Sequence, residues 1–465
     1  MNNVSAHRAF SFLRTYGYER VSCSKEERTV AEALLNECTS LGVSAQLEEF
    51  TVPCGRVSHA LLRVTSPYVK EYKVTGYERA ASTPEGGLDT EFLYVENADE
   101  VLLEQAKGKI VLVNGYLNRA TYEKLRKAEA AAILTFTGRT IDRESEIDLN
   151  RCKLCETLTE PFGAVPVLNM RAASAAEIVR RGAKTVHIEL TGECYDGTSQ
   201  NVCATIPGTD KAEEVITLGG HYDSVYFSSG VHDNLSGSVI VLELLRYFAA
   251  HPPRRTLRFC WFGSEEQGLL GSKAYVKAHA DELKDCVAML NFDVAAPTLG
   301  SNHLVTLATD DALHYVAGVL REAGYGVRAK QDTYSSDCIP FADNGVPAIN
   351  LARFGANGAD YMHDRHDSLK SGYLDEHALD ITLQQGFVLL DRLANAASFP
   401  IKREIAPEIR QKVDEYLFKA KKEYSPDDRT FRADSQRTAA SGQSALRDAG
   451  VPIRAQSGRA VSAAH

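Results

Sequence analysis

The sequence predicts an α/β fold: a mostly parallel mixed sheet with helices on both faces, interrupted by an inserted α+β segment. Two observations carry this. From about Gln200 to Ala397, near-continuous apolar runs alternate with amphipathic ones, the signature of strands buried on both faces and paired with helices. Between about Tyr72 and Glu189 the texture changes to short β runs and small helical pieces, and none of the candidate ligand residues falls there.

Taken in order, residues 5–45 read as two helices. The second, from about Lys25 to Leu41, carries Val30, Ala33, Leu34 and Leu41 at helical spacing and stops at Gly42. Residues 43–65 alternate like strands (VSAQLEEFTV, ALLRVTS). In the middle segment GKIVLVNG reads as a strand, with ATYEKLRKAEAAAILTF and AASAAEIVRRG as helical pieces. Beyond it, EVITLGGH, TLRFCWFG, VAMLNFDV, HLVTLAT and PAINLAR are strands. SGSVIVLELLRYFAA, LLGSKAYVKAHADEL, DALHYVAGVLREAG and DEHALDITLQQGFVLLDRLANAA are the intervening and closing helices. The expected boundaries are 1–70 for the first part of the main domain, 71–190 for the insert and 191–401 for the main α/β body. Residues 402–465 are left as a charged helix (402–424) and a tail from Ser425 too poor in large apolar residues to offset its ordering entropy.

A net charge of -10 argues against a nucleic-acid binder, which needs a basic face for phosphates. No run approaches the roughly 20 apolar residues that span a bilayer, and the N-terminus lacks the pattern of a secretory signal. The ten cysteines are scattered, with Cys203, Cys260 and Cys286 in apolar contexts, and Cys152/Cys155 form a lone CxxC best read as structural. A reducing cytoplasm is the expected location.

The chemistry is concentrated where strands end. His221 closes EVITLGGH, Glu265 and Glu266 follow RFCWFG, Asp293 closes AMLNFD, and His363 lies in the loop after PAINLAR. Asp233 sits in GVHDNLSG just before a helix. Open α/β sheets bind ligands beyond the carboxyl ends of their strands. Two imidazoles and three carboxylates suffice for two divalent ions about 3.5–4 Å apart. His221, Asp293 and a bridging Asp233 would hold one ion, and Glu266, His363 and the same Asp233 the other. A water between them would be acidified toward pKa about 7, with Glu265 as its general base. Asp223 is placed to accept the other N–H of His221. Two zinc ions per chain are expected, with cobalt or manganese as substitutes.

HYD at 221–223, HDN at 232–234, SEEQG at 264–268, NFD at 291–293 and HDRHDS from 363 together resemble the M28 family of zinc peptidases. The resemblance implies a zinc-exopeptidase fold of the phosphorylase/hydrolase-like type. It implies the same five ligands and Glu265 as base, acting on a peptide substrate. The spacing from His363 to Asp367 and Ser368 matches the family's last metal motif, which prefers His363 over His366 as ligand. GKIVLVNG, the helix with YEKLRKAEAAAILTF and AVPVLNM resemble a protease-associated (PA) domain, which flanks the cleft and restricts access. YSSDCIPFADNGVPAINL resembles the family's SDH-x-PF segment, with Cys338 in place of the His. The Tyr that precedes the last metal His in such aminopeptidases is Met362 here, leaving Tyr361 or Tyr334 as candidate oxyanion donors.

Four functions are compatible with this reading. The first is an aminopeptidase, whose substrate α-amine suits an acidic, metal-rich cleft. A carboxypeptidase or dipeptidase would want a cationic anchor, for which Arg353 is the candidate. A glutaminyl cyclase, or a receptor-like scaffold that has lost its metals, completes the set. The sequence leaves the oligomeric state open.

Overall fold

The computed structural model describes residues 4–419; the tail expected to be disordered from Ser425 lies outside these residues. Two helices open the chain, α1 (Ala6–Tyr16) and α2 (Lys25–Ser40). Each starts at a serine whose hydroxyl satisfies an orphan amide, Ser5 accepting from the Arg8 N–H and Ser24 from the Glu27 N–H. There follow β1 (Ser44–Ser66), β2 (Lys70–Tyr72), β3 (Val74–Gly76), β4 (Leu88–Tyr94), α3 (Glu100–Leu103), β5 (Ile110–Leu112) and α4 (Arg119–Lys127). Next come β6 (Ala132–Thr137), α5 (Glu156–Phe162), β7 (Val167–Arg171), α6 (Ala172–Arg180) and β8 (Thr185–Ile206). The main body runs β9 (Lys211–His221), α7 (Ser236–Ala250), β10 (Arg255–Phe262), α8 (Leu270–Ala278), β11 (Cys286–Phe292) and β12 (Gly300–Leu307). It ends with α9 (Asp310–Glu322), β13 (Arg328–Gln331), α10 (Cys338–Asp343), β14 (Ala348–Gly355), α11 (Glu376–Asn395) and α12 (Pro407–Tyr416).

One sheet order runs β13-β12-β14-β11-β9-β10-β8-β4-β5-β6-β7-β3, with β1 paired to β8 and β2 to β1. β14, β11, β9 and β10 are mutually parallel, so their carboxyl ends share one edge. α7 is buried along most of its length and mainly apolar, its buried Glu243 paired with Arg8 and Arg246. Its start is pinned because Trp261 Nε1–H donates to the Ser238 carbonyl at 2.9 Å. Only glycine fits at 237, where a Cβ would stand 2.1 Å from the Phe292 carbonyl oxygen. The N-terminus of α7 therefore packs directly on the end of β11.

Four details differ from the sequence reading. Residues 43–65 form a single strand, β1, antiparallel to β8 from Ser44/Thr205 to Ser66/Thr185. β8 runs straight through GECYDGTSQ, a stretch the sequence reading left unassigned, because the partner strand supplies the ladder that its Gly, Asp and Ser content withholds. ATYEKLRKAEAAAILTF is helical only to Lys127. Glu129 takes a left-handed φ of 54°, and AILTFT becomes β6, buried between β5 and β7; a short apolar run of this kind has no periodicity to distinguish helix from strand. The short strand β13 carries no apolar signal and escaped notice.

Candidate metal centre and active site

Each loop at the shared strand edge is tied down by buried polar groups. The 231–235 loop is held from three sides. Asp367, fully buried, accepts from the His232 N–H (2.7 Å) and the Asp233 N–H (3.0 Å). Asn234 donates to the Phe292 carbonyl (2.8 Å) and accepts from the Gly237 and Val294 amides (3.0 Å each). Arg20, also fully buried, donates to the carbonyls of Tyr222 (2.7 Å), Ser229 (2.7 Å) and Gly230 (2.8 Å). Burial lowers this guanidinium to about 10, against the pull of nearby carboxylates. The turn carrying Glu265 and Glu266 begins at Ser264, with φ 54°, and ends at Gly268, with φ 103°. Asp223 accepts the N–H of both glutamates, at 3.0 and 3.2 Å. His363 too is left-handed, at φ 60°, a conformation that costs a non-glycine residue of order 1 kcal/mol or more and clusters at functional sites.

The side chains converge. His221 Nε2 lies 3.2 Å from Asp233 Oδ1, 3.7 Å from Asp293 Oδ1 and 3.9 Å from Glu265 Oε2. His363 Nε2 lies 3.0 Å from Asp233 Oδ2 and 3.1 Å from Glu266 Oε2. Asp233 thus turns one oxygen to each imidazole. Two sets of ligand atoms, His221/Asp233/Asp293 and Asp233/Glu266/His363, each fall within 4.8 Å of one another. His221 Nδ1 lies 3.3 Å from Asp223 Oδ1.

Burial and the crowding of carboxylates around two imidazoles set the electrostatics of the site. Burial works against ionised Asp233, but the His221 and His363 imidazoles hold it well below the usual carboxylate range. Burial raises Glu265 well above that range, and Asp337, Glu266 and Asp293 add to the rise against the opposing pull of His221. Glu266 and Asp293 are likewise raised by burial. Glu266 Oε1 is buried without a hydrogen-bond partner, as are both carboxylate oxygens of Asp337. Burial pushes Asp337 up to about 7.

Other candidates separate cleanly. Tyr334 is buried, and burial, with the charges of Asp293, Asp233, Glu265 and Asp360 adding to it, pushes its phenol well above 10. The Tyr361 hydroxyl turns away, donating to the Gly358 carbonyl at 3.2 Å. Arg353 is engaged through Nε with the Pro297 carbonyl (3.0 Å), Nη1 with Asn302 Oδ1 (2.9 Å) and Nη2 with the Thr298 carbonyl (3.4 Å). It clamps the loop before β12 rather than offering a fork to a ligand. Cys338 is fully buried, its sulfur against Met289 Sδ at 3.8 Å, so it lines no pocket. His232 points away from the cluster to the Ala295 carbonyl (2.7 Å) and Asp360 (3.1 Å). His366 contacts Asp364 at the surface. Arg20 was not singled out in the sequence, and Asp337, though inside the SDC segment, was given no role of its own. Asp337 had a signal, as an acid inside an otherwise apolar SDCIPF run; Arg20 had none.

Residues 201–386 match the family model for peptidase family M28, a span that contains all five ligand-type residues and Glu265. Aminopeptidase YwaD of Bacillus subtilis (strain 168) is 27% identical over 345 residues, 71% of each chain. Carboxypeptidase Q of Mus musculus is 26% identical over 291 residues, 60% of this chain and 62% of that one, so the match spans less than two thirds of its length. Among solved structures, a zinc aminopeptidase from Bacillus subtilis shares the fold, with a TM-score of 0.72 at 21% identity over 87% of this chain and 100% of its own. The similarity to peptidase family M28 thus covers the part of the chain that carries the site.

Proposed function

We propose that the chain is a dinuclear zinc aminopeptidase that releases N-terminal residues from peptides. The observation that carries this is Asp233, one carboxylate oxygen on each imidazole of a pair, as a bridge between two ions requires. The donor set fits zinc: two imidazole nitrogens, three carboxylates, and a buried Glu266 oxygen with no other partner. His221, Asp233 and Asp293 would hold one ion, and Asp233, Glu266 and His363 the other. Bound zinc supplies Lewis acidity toward the scissile carbonyl and a water nucleophile at neutral pH.

Glu265 Oε2, beside His221 but outside both ligand sets, takes the proton of the attacking water and returns it to the leaving amine nitrogen. The Tyr334 hydroxyl, buried at the same edge, donates to the oxygen that gains charge as water adds to the carbonyl carbon. Asp223 and Asp367 orient the two loops through backbone amides and touch no substrate. The PA-like insert restricts the cleft: Arg365, two residues after His363, donates through Nε to Asp148 of the insert at 2.7 Å and through Nη1 to the Ser145 carbonyl at 2.9 Å.

An aminopeptidase suits an acidic site that attracts an ammonium group, whereas the engaged Arg353 leaves a substrate carboxylate without that anchor. The carboxypeptidase reading keeps one point in its favour, the similarity to carboxypeptidase Q. Among the described residues no helix is long and apolar enough to cross a membrane. All ten cysteines are free, which fits the reducing cytoplasm we assign. Mass spectrometry of a mixed peptide pool, incubated with enzyme and zinc or with chelator, tests the function. Zinc-dependent ladders shortened from the N-terminus are expected; shortening from the C-terminus would overturn the aminopeptidase reading.

A further inference from the structure

Behind the turn that carries Glu265 lies a pair of thiols that the proposed mechanism does not use. Cys23, in the turn before α2, and Cys54, inside β1, bring their sulfurs to 3.7 Å. Both are half-buried, and neither is bonded to another cysteine. The sulfurs meet over Gly197 of β8, where a Cβ would stand 2.8 Å from Cys54 Sγ and 2.9 Å from Cys23 Sγ. A glycine there makes room for the pair. Closing a disulfide, with its bond of about 2.05 Å, asks the sulfurs to approach by less than about 2 Å. Cys203 and Cys260 also face each other, across β8 and β10, but both are buried from solvent oxidants.

The Cys23 segment is joined directly to the glutamate turn. The Cys23 N–H donates to Glu27 Oε2 at 2.6 Å, while Glu27 Oε1 accepts from the Ser264 N–H at 3.2 Å and from Ser199 at 2.7 Å. Ser22 and Ser264 share a hydroxyl–hydroxyl bond of 2.5 Å. Ser264 immediately precedes Glu265, so movement of Cys23 is transmitted to the proposed base.

We propose that Cys23 and Cys54 form a peroxide-sensitive dithiol whose closure to a disulfide displaces the Glu265 turn and lowers turnover. Cys54 is the attacking thiol: its hydrogen bond with Cys23, aided by the Lys153 ammonium and the Gly197 amide, holds it at about 7, where the thiolate is available. Its sulfur attacks hydrogen peroxide, giving a sulfenic acid and hydroxide. Cys23 sulfur then attacks the sulfenyl sulfur, forming the S–S bond and expelling the oxygen as water. The two thiols lose two electrons, peroxide gains them, and the balance is two waters. Dithiothreitol reverses the change by exchange.

The turnover half rests on the proposed role of Glu265; the bond itself does not, and mass separates the two. The zinc-loaded full chain is treated with hydrogen peroxide, alkylated, digested and mapped, and hydrolysis of an aminoacyl p-nitroanilide is followed in parallel. The expected result is a linked Cys23–Cys54 peptide, with Cys155 and Cys194 as exposed thiols for comparison. Activity should fall about 10- to 100-fold, as for a small misplacement of a reacting group, and return with dithiothreitol. Cys54→Ser should keep its untreated activity and lose the response. Recovery of Cys23 and Cys54 both alkylated after peroxide overturns the site. A linked peptide with unchanged turnover, or an equal loss in Cys54→Ser, overturns the coupling.

Discussion

Two sets of parallel strands in this molecule end very differently. In the main body, β9, β11 and the loops after β10 and β14 end in His221, Asp293, Glu265, Glu266 and His363, charged groups packed against one another. In the 71–190 segment, β6 and β7 instead carry Thr135, Thr137 and Asn169 up to the end of β6, a neutral network closed on itself. Tyr77 and Thr135 share a bond of 3.1 Å, Thr135 donates to Asn169 at 3.0 Å, and Asn169 donates to Thr137 (3.4 Å) and to the Asn150 carbonyl (3.3 Å). The architecture is similar and the strand ends decide the chemistry. Buried neutral groups that satisfy one another rigidify a core, whereas buried ionisable groups that perturb one another's protonation mark a functional site.

Substitutions at the two edges should therefore fail in different ways. The largest effect is expected at the main edge: Glu265→Gln removes the proposed proton carrier and should lower kcat by about 10²- to 10⁴-fold with metal content unchanged. Near-native turnover in steady-state assays would remove Glu265 from the mechanism. Asp367→Ala, which frees the Asp233 and His232 amides without touching a ligand, should cost about 10- to 100-fold in metal affinity or activity; a metal titration reads it. In the neutral network, Asn169→Ala should destabilise by about 1–3 kcal/mol by leaving buried partners unpaired. Its kcat per folded molecule should stay native, and a fall in kcat without a stability loss would break the contrast between the two edges.

The smallest effect belongs to His303 on β12. Burial, with Arg328 nearby, pulls this imidazole from 6.5 down to about 4. It is neutral when folded, so its folded value lies below its unfolded one. Stability is then fully present above pH 6.5 and is lower by roughly 2 kcal/mol at pH 5, falling further toward pH 4. Denaturant titrations at pH 7 and pH 5 should show that loss shrinking in His303→Gln.

Strand-end polar residues such as His221 and Asp293 were legible in the sequence because an apolar run that stops on a ligand-type side chain locates it at a sheet edge without further information. Asp233 followed a different signal, its place in GVHDNLSG just before the helix that becomes α7. What was not legible is which way a side chain turns and what it meets. Tyr361 and Arg353 stand at plausible positions, yet their polar groups are consumed by the Gly358, Pro297 and Thr298 carbonyls, partners brought near only by tertiary folding. Arg20, more than 200 residues from the loop it clamps, leaves no local trace at all. The long β1/β8 ribbon was missed for a related reason, since its turn-like composition is overridden by a partner far away in sequence.

The most direct test of the shared-carboxylate site is zinc content by elemental analysis of the dialysed protein and of Asp233→Ala. Two zinc ions per native chain, and at most one in Asp233→Ala, is the predicted result. Two ions retained by Asp233→Ala, or a single ion in the native chain, would contradict a centre bridged by Asp233.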